Sequence, residues 1–195
     1  MASAEFDLGY LETADDLLQN YVLSDEIYWK MNASSPPGEP AYPSLTLGAL
    51  LLSLKRIEIW PLSSRQEARK LRIQSAIEHI RMKWRTAWAK KSREEFRSRL
   101  DLWRNYLEEL RKEPELNIDR YSYEVNRRVM LNLLSKEADA IPPAQEQMLA
   151  GLDLVLDGLM AVGEFIWDEE LAAGFVRSEY PYLYFHLKKP CQTNG

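Results

Sequence analysis

The chain has 195 residues, 46% of them hydrophobic and 28% charged, with six Trp, ten Tyr and five Phe, enough to build a sizeable core. Such a composition excludes intrinsic disorder for the body of the chain and removes any need for a metal or disulfide staple. The formal charge of −5 hides an asymmetry, since residues 65–104 carry thirteen Arg and Lys against five Asp and Glu while the flanking segments are net acidic.

Helical periodicity dominates, and no strand ladder can be assembled from what remains. From Leu11 to Asn32 the residues Ala14, Leu17, Leu18, Tyr21, Tyr28 and Met31 share a face, with Thr13 as an N-cap and Asp15 and Asp16 in the first turn. Ser34 to Pro43 holds four prolines and a glycine, a polyproline-like connection. Ser44 then caps a second helix reaching Ile59, apolar almost all round and therefore central.

After Trp60-Pro61, Ser64-Arg65-Gln66-Glu67 has the spacing of a capping box. The helix it opens has an apolar line of Ile73, Ala76, Ile77, Ile80, Trp84, Ala87 and Trp88. Beyond the polar stretch Lys90 to Arg93, the residues Phe96, Leu100, Trp103, Leu107 and Leu110 recur at steps of four and three, a coiled-coil-like seam. No Gly or Pro interrupts 64–113, which favours one long helix with a change of face over a hairpin bent near Ser92. Pro114 is the stop signal.

A further helix, capped by Ser122 or Asp119, runs to Lys136 with Val125, Val129, Met130, Leu133 and Leu134 inward. Pro142-Pro143 opens the last one. Its stripe of Leu149, Leu152, Leu156, Leu159, Met160 and Gly163 is expected to carry it to Trp167. Leu154, Val155, Val162 and Phe165 lie on its other sides, which makes it either central or part of a subunit interface. A short helix follows near Asp168–Ala173, and Pro181 to Leu187 forms an aromatic arm without a partner strand, packed on the bundle or on a second copy. The expected fold class is all-α: a helical bundle of five or six helices with one or two long helices and an aromatic C-terminal arm. One domain is expected over 1–187 and a flexible tail over 188–195.

The single cysteine, Cys191, cannot form an intramolecular disulfide, which fits a reducing compartment. Residues 1–7 lack the basic and apolar features of a secretory signal, so the expected location is cytoplasmic. The most apolar run, Leu45 to Leu54, is far shorter than the roughly 20 residues that span a bilayer, so no membrane association is expected.

Basic residues interleaved with Trp84, Trp88 and Trp103 are the raw material of nucleic-acid binding, with Arg81, Arg85, Lys90 and Arg93 as the candidate contacts. The charges, however, bracket the apolar stripe instead of gathering on the face away from it, which favours neutralisation within the fold. An acidic line on the last helix, Glu146, Asp153, Asp157 and Glu164, is the expected partner, fixing the register in which the two helices pack. As a metal site that line fails, because carboxylate-bridged bundles want Glu-x-x-His pairs and neither His79 nor His186 completes one.

No Gly-x-Ser-x-Gly, Gly-rich phosphate loop, Cys-x-x-Cys or His-Glu-x-x-His occurs. The reading is therefore a non-catalytic helical interaction or scaffold protein that needs no cofactor and self-associates as a homodimer, its further protein partner unspecified. Trp103, Leu107, Leu154, Phe165, Tyr182 and Tyr184 are the candidate interface residues. The alternatives are a nucleic-acid binder using 65–104 and a ligand-binding or enzymatic bundle with a pocket beneath Tyr182, Tyr184 and His186.

Overall fold

A computed structural model describes residues 3–188. Cys191 and all but the first residue of the expected tail lie outside the described residues. Helices account for most of what is described, in the order α1 (Ala4–Leu23), α2 (Leu47–Ile57), α3 (Ser64–Lys83), α4 (Arg85–Lys112), α5 (Pro114–Asn117), α6 (Tyr121–Glu137) and α7 (Pro143–Leu159). Two short strands, β1 (Met160–Val162) and β2 (Phe185–Leu187), and three 3-10 helices at Ile118–Arg120, Glu169–Gly174 and Pro181–Tyr184 complete the regular structure, the second of these helices lying where a short helix was expected.

Several helix ends differ from the sequence expectation, each for a local reason. α1 begins earlier, where Ser3 Oγ accepts the Phe6 N–H and Glu5 and Asp7 complement the helix dipole. Thr13, the expected cap, instead donates its hydroxyl to Gly9 O inside that helix. Tyr28 and Met31 fall beyond its end. Trp29 exchanges two backbone hydrogen bonds with Leu45, at 3.0 and 2.8 Å, which ties the proline-rich connection back to the start of α2. Thr46, not Ser44, caps α2, and the capping box is made by Ser63 and Gln66 instead of Ser64 and Glu67.

The segment 64–113 is neither an unbroken helix nor a hairpin. Trp84 leaves helical geometry (φ −116, ψ 35) and divides it into α3 and α4, although its N–H still reaches Ile80 O and its carbonyl still accepts from Trp88. The two pieces serve different partners: α3 packs on α1, burying Ile73 and Ile77, whereas α4 packs most extensively on α6. The helix does not bend near Ser92, and the polar stretch there is not solvated throughout, because Lys91 and Ser92 are themselves buried. Phe96, Leu100, Trp103, Leu107 and Leu110 are all buried in the chain's own core, so the heptad-like seam is intramolecular.

α7 ends at Leu159, eight residues short of Trp167, and only Leu156 on it is fully buried. It is a peripheral helix resting on α4, not a central one. The residues expected to prolong it form β1, which pairs antiparallel with β2 in the register Met160↔Leu187, Ala161↔His186, Val162↔Phe185. The aromatic arm thus has a partner strand, and it packs on its own bundle. Phe165, Trp167, Phe175, Tyr180 and Tyr182 form a run of edge-to-face contacts. Lys55 lies over Phe175, Arg56 over Trp167 and Arg128 over Tyr182, and Tyr121 Oη donates to Tyr182 O at 2.6 Å. No described helix is long and apolar enough to cross a membrane.

Candidate interaction surface

The basic segment is largely absorbed inside the fold. Arg69 reaches Glu12 with two nitrogens, at 3.0 and 2.8 Å, and Glu5 with a third contact at 2.7 Å, while Arg72 joins Glu12 from the next turn. The guanidinium of Arg69 holds the Glu12 carboxyl below its ordinary range, chiefly by hydrogen bonding. Arg81 binds Glu137 at the end of α6 (2.7 Å) and Glu78 on its own helix, and Trp88 Nε1 donates to the same Glu137.

Of the four candidate nucleic-acid contacts, Arg81 is therefore occupied, Lys90 pairs with Asp25 and Glu94, and Arg93 lies 3.9 Å from Asp139. Only Arg85 makes no ion pair among the described residues. The expected acidic partner line is not the one used. Asp153 binds Arg128 of α6 with both oxygens at 2.8 Å, Glu146 and Asp157 are exposed, and Glu164 lies beyond the helix altogether. Neutralisation within the fold takes place, but through α1 and α6.

Six charged side chains are buried among the described residues. Glu95, fully buried on α4, accepts the Gly48 N–H at 3.0 and 3.1 Å, placing a carboxylate on the positive end of α2. Arg99 binds Glu95 Oε1 at 2.5 Å and Thr46 Oγ1 at 2.7 Å. A side chain on Gly48 would have its Cβ 2.6 Å from Glu95 Oε1, so the close approach requires glycine. Lys91, 2% exposed, donates to Ser24 O and Glu26 O at 2.5 and 2.9 Å and closes off the end of α1. Asp7, Arg56 and Glu124 are the others. The i,i+4 spacing of Glu95 and Arg99 beside the seam, and a glycine in the first turn of a leucine-rich helix, were the available signals.

The candidate interface residues scatter. Trp103, Leu107 and Tyr182 are buried in the chain's own core and offer no surface. Phe165 and Tyr184 are half-buried in the aromatic run, Tyr184 donating its hydroxyl to Phe175 O. Leu154 alone is freely exposed, at 73%. It belongs to an outer face of α7 on which Ala144, Gln147, Gly151 and Gly158 are also exposed, and a Cβ added at either glycine would meet no atom within 4 Å. Gly158 also lines a groove of about 540 Å³ with Leu116, Leu159, Leu187, Pro114 and Lys188. Glu113, Glu115 and Lys188 line the same groove, so the strip of Leu154, Gly158 and Leu116, the last 74% exposed, is bordered by charged side chains.

No protein-family model, curated protein or solved structure matches the chain. Among the described residues no three His, Cys, Asp or Glu side chains are grouped to hold a metal ion. Tyr182 packs against Tyr180 and under Arg128, Tyr184 covers Phe165, and His186 faces solvent from β2 over Gly163. None of the three residues lines the groove beside Gly158.

Proposed function

We propose that the protein is a non-catalytic interaction protein that self-associates through the outer face of α7. The observation that carries this reading is the strip formed by Leu154, Gly158 and Leu116. Two leucines stand about three-quarters exposed beside helix positions that lack any side chain. A glycine within a helix costs about 1 kcal/mol relative to alanine, and none of the described residues uses the space at Gly151 or Gly158. Large and absent side chains alternating on one helix face are self-complementary: across a two-fold axis each leucine meets the partner's glycine. The occupant is therefore a second copy of this chain.

The expected contact is modest. A helix of this length spans roughly 25 Å, and one face of it supplies less than the roughly 800 Å² per partner of a standard interface, so association is reversible and concentration-dependent. The basic face of 65–104 adds little to a polyanion-binding alternative, because most of its cations already have carboxylates.

Site-directed cross-linking tests the proposal. In a Cys191→Ser background, Gly151→Cys is expected to give covalent dimers with a short bismaleimide, and Leu71→Cys, equally exposed but on α3, is expected to give none. Equal yields at the two positions, or no dimer at Gly151→Cys, would overturn it.

A further inference from the structure

A half-satisfied buried carboxylate lies on α1. Asp7, in the first turn of α1, is fully buried. One of its oxygens accepts the Trp60 indole N–H at 3.0 Å, while the other has no hydrogen-bond partner and stands 3.8 Å from the Arg56 guanidinium. Arg56 is equally incomplete: its Nε is buried without a partner, its Nη2 binds Asn126 of α6 at 3.0 Å, and its plane lies over the Trp167 ring. The couple is thus half-formed in a place where a fully made ion pair would be strongly favoured over a loose one.

The charged and titratable groups around Asp7 are Arg56 from α2, Glu39 and Tyr42 from the proline-rich connection, and Tyr10 from its own helix. Asp168, beside Trp167, is the second carboxylate that acts on Arg56. α6 reaches the couple only through the neutral amide of Asn126. Arg56 therefore bears on Asp7 of α1 on one side and, on the other, on the ring of Trp167, the chain neighbour of Asp168.

We propose that Asp7 and Arg56 form a proton-operated joint: charged Asp7 draws Arg56 toward α1, and protonated Asp7 releases it toward Asp168, so that one proton couples α1 to the C-terminal aromatic segment. Burial pushes the Asp7 carboxyl up to about 6, against the opposing pull of Arg56, which places the event in mildly acidic solution. His79 and His186 are both exposed, on α3 and β2, and take no part in the couple.

The indole N–H resonances of Trp60 and Trp167 read the two sides of the joint. In the wild-type chain both are expected to shift with one common midpoint near pH 6, and the His79→Gln/His186→Gln variant is expected to keep it. Asp7→Asn is expected to abolish both shifts, and Asp168→Asn to leave the Trp60 shift while removing that of Trp167. A Trp60 signal flat between pH 4.5 and 8, loss of the midpoint with the histidines, or a Trp167 shift that survives Asp168→Asn would overturn the proposal. The wild-type and histidine measurements decide it even where Asp7→Asn does not fold.

Discussion

Arg69 on α3 grips Glu12 on α1 through two parallel hydrogen bonds, at 3.0 and 2.8 Å. The pair joins the most basic part of the chain to an acidic one, and Glu5 and Arg72 extend it into a network. Since α3 fully buries only Ile73 and Ile77, its attachment to α1 depends heavily on such contacts.

A double-mutant cycle on Glu12→Gln and Arg69→Gln is expected to give a coupling of about 0.5–1 kcal/mol, because the pair is partly exposed yet bidentate. The fold holds the Glu12 carboxyl below its ordinary range, so this contribution is present above the ordinary carboxylate value and is lost as pH falls through the lowered one. Urea denaturation of the four chains at pH 7 and pH 3 checks both points. A coupling that persists undiminished at pH 3 would contradict the assignment.

Gly48→Ala is expected to destabilise by about 1–3 kcal/mol, the range for forcing atoms into a packed interior. The new methyl group would meet Glu95 Oε1 at 2.6 Å and Arg99 Nε at 2.9 Å, and neither can retreat without giving up the cap of α2. An alanine here would ordinarily raise helix stability, so the sign of the change in urea midpoint separates the two effects.

Asp7 gives a pH dependence of the opposite sign to Glu12. An unfolded Asp7 loses its proton in the ordinary carboxylate range, whereas in the fold it does so only near 6. The native state therefore holds the extra proton between those values, and Asp7 subtracts stability as pH rises through that window, in full above it. Asp7→Asn is expected to gain about 1–3 kcal/mol at pH 7.5 and to match the wild type near pH 3.5. An equal change at both pH values in chemical denaturation would refute this.

What could be read from the sequence divides along physical lines. The seam from Phe96 to Leu110 identified the buried face of α4 correctly, because a 3–4 spacing reports burial whatever the burying partner is. Its partner, α6 of the same chain, is a matter of topology that spacing does not carry. The capping boxes differ by one residue because Ser63 and Gln66 are chemical equivalents of Ser64 and Glu67. The end of α7 was hidden for a different reason: Met160-Ala161-Val162 fits a helix locally and becomes a strand only because Phe185–Leu187 lies beside it. The break at Trp84 has no Gly, Pro or cap to announce it.

The charges follow the same rule. That the cations of 65–104 bracket an apolar stripe is a local pattern, and it correctly pointed inward. Which carboxylates they meet depends on how helices cross, so the in-line acids of 146–164 attracted attention while Glu5, Glu12 and Glu137 had the contacts. Lys91, in the polar stretch, and Glu95 just beyond it are buried because Ser24, Glu26 and Gly48 bring backbone groups to them from far along the chain.

Sedimentation velocity over a concentration series, for the wild-type chain and Leu154→Glu, tests the central claim most directly. Leu154 touches none of the core, so the variant is expected to keep the wild-type melting curve. The account calls for a sedimentation coefficient that rises with concentration toward a dimer in the wild type and stays at the monomer value in Leu154→Glu. A wild type that remains monomeric at the highest concentration, or a variant that dimerises equally well, would contradict it.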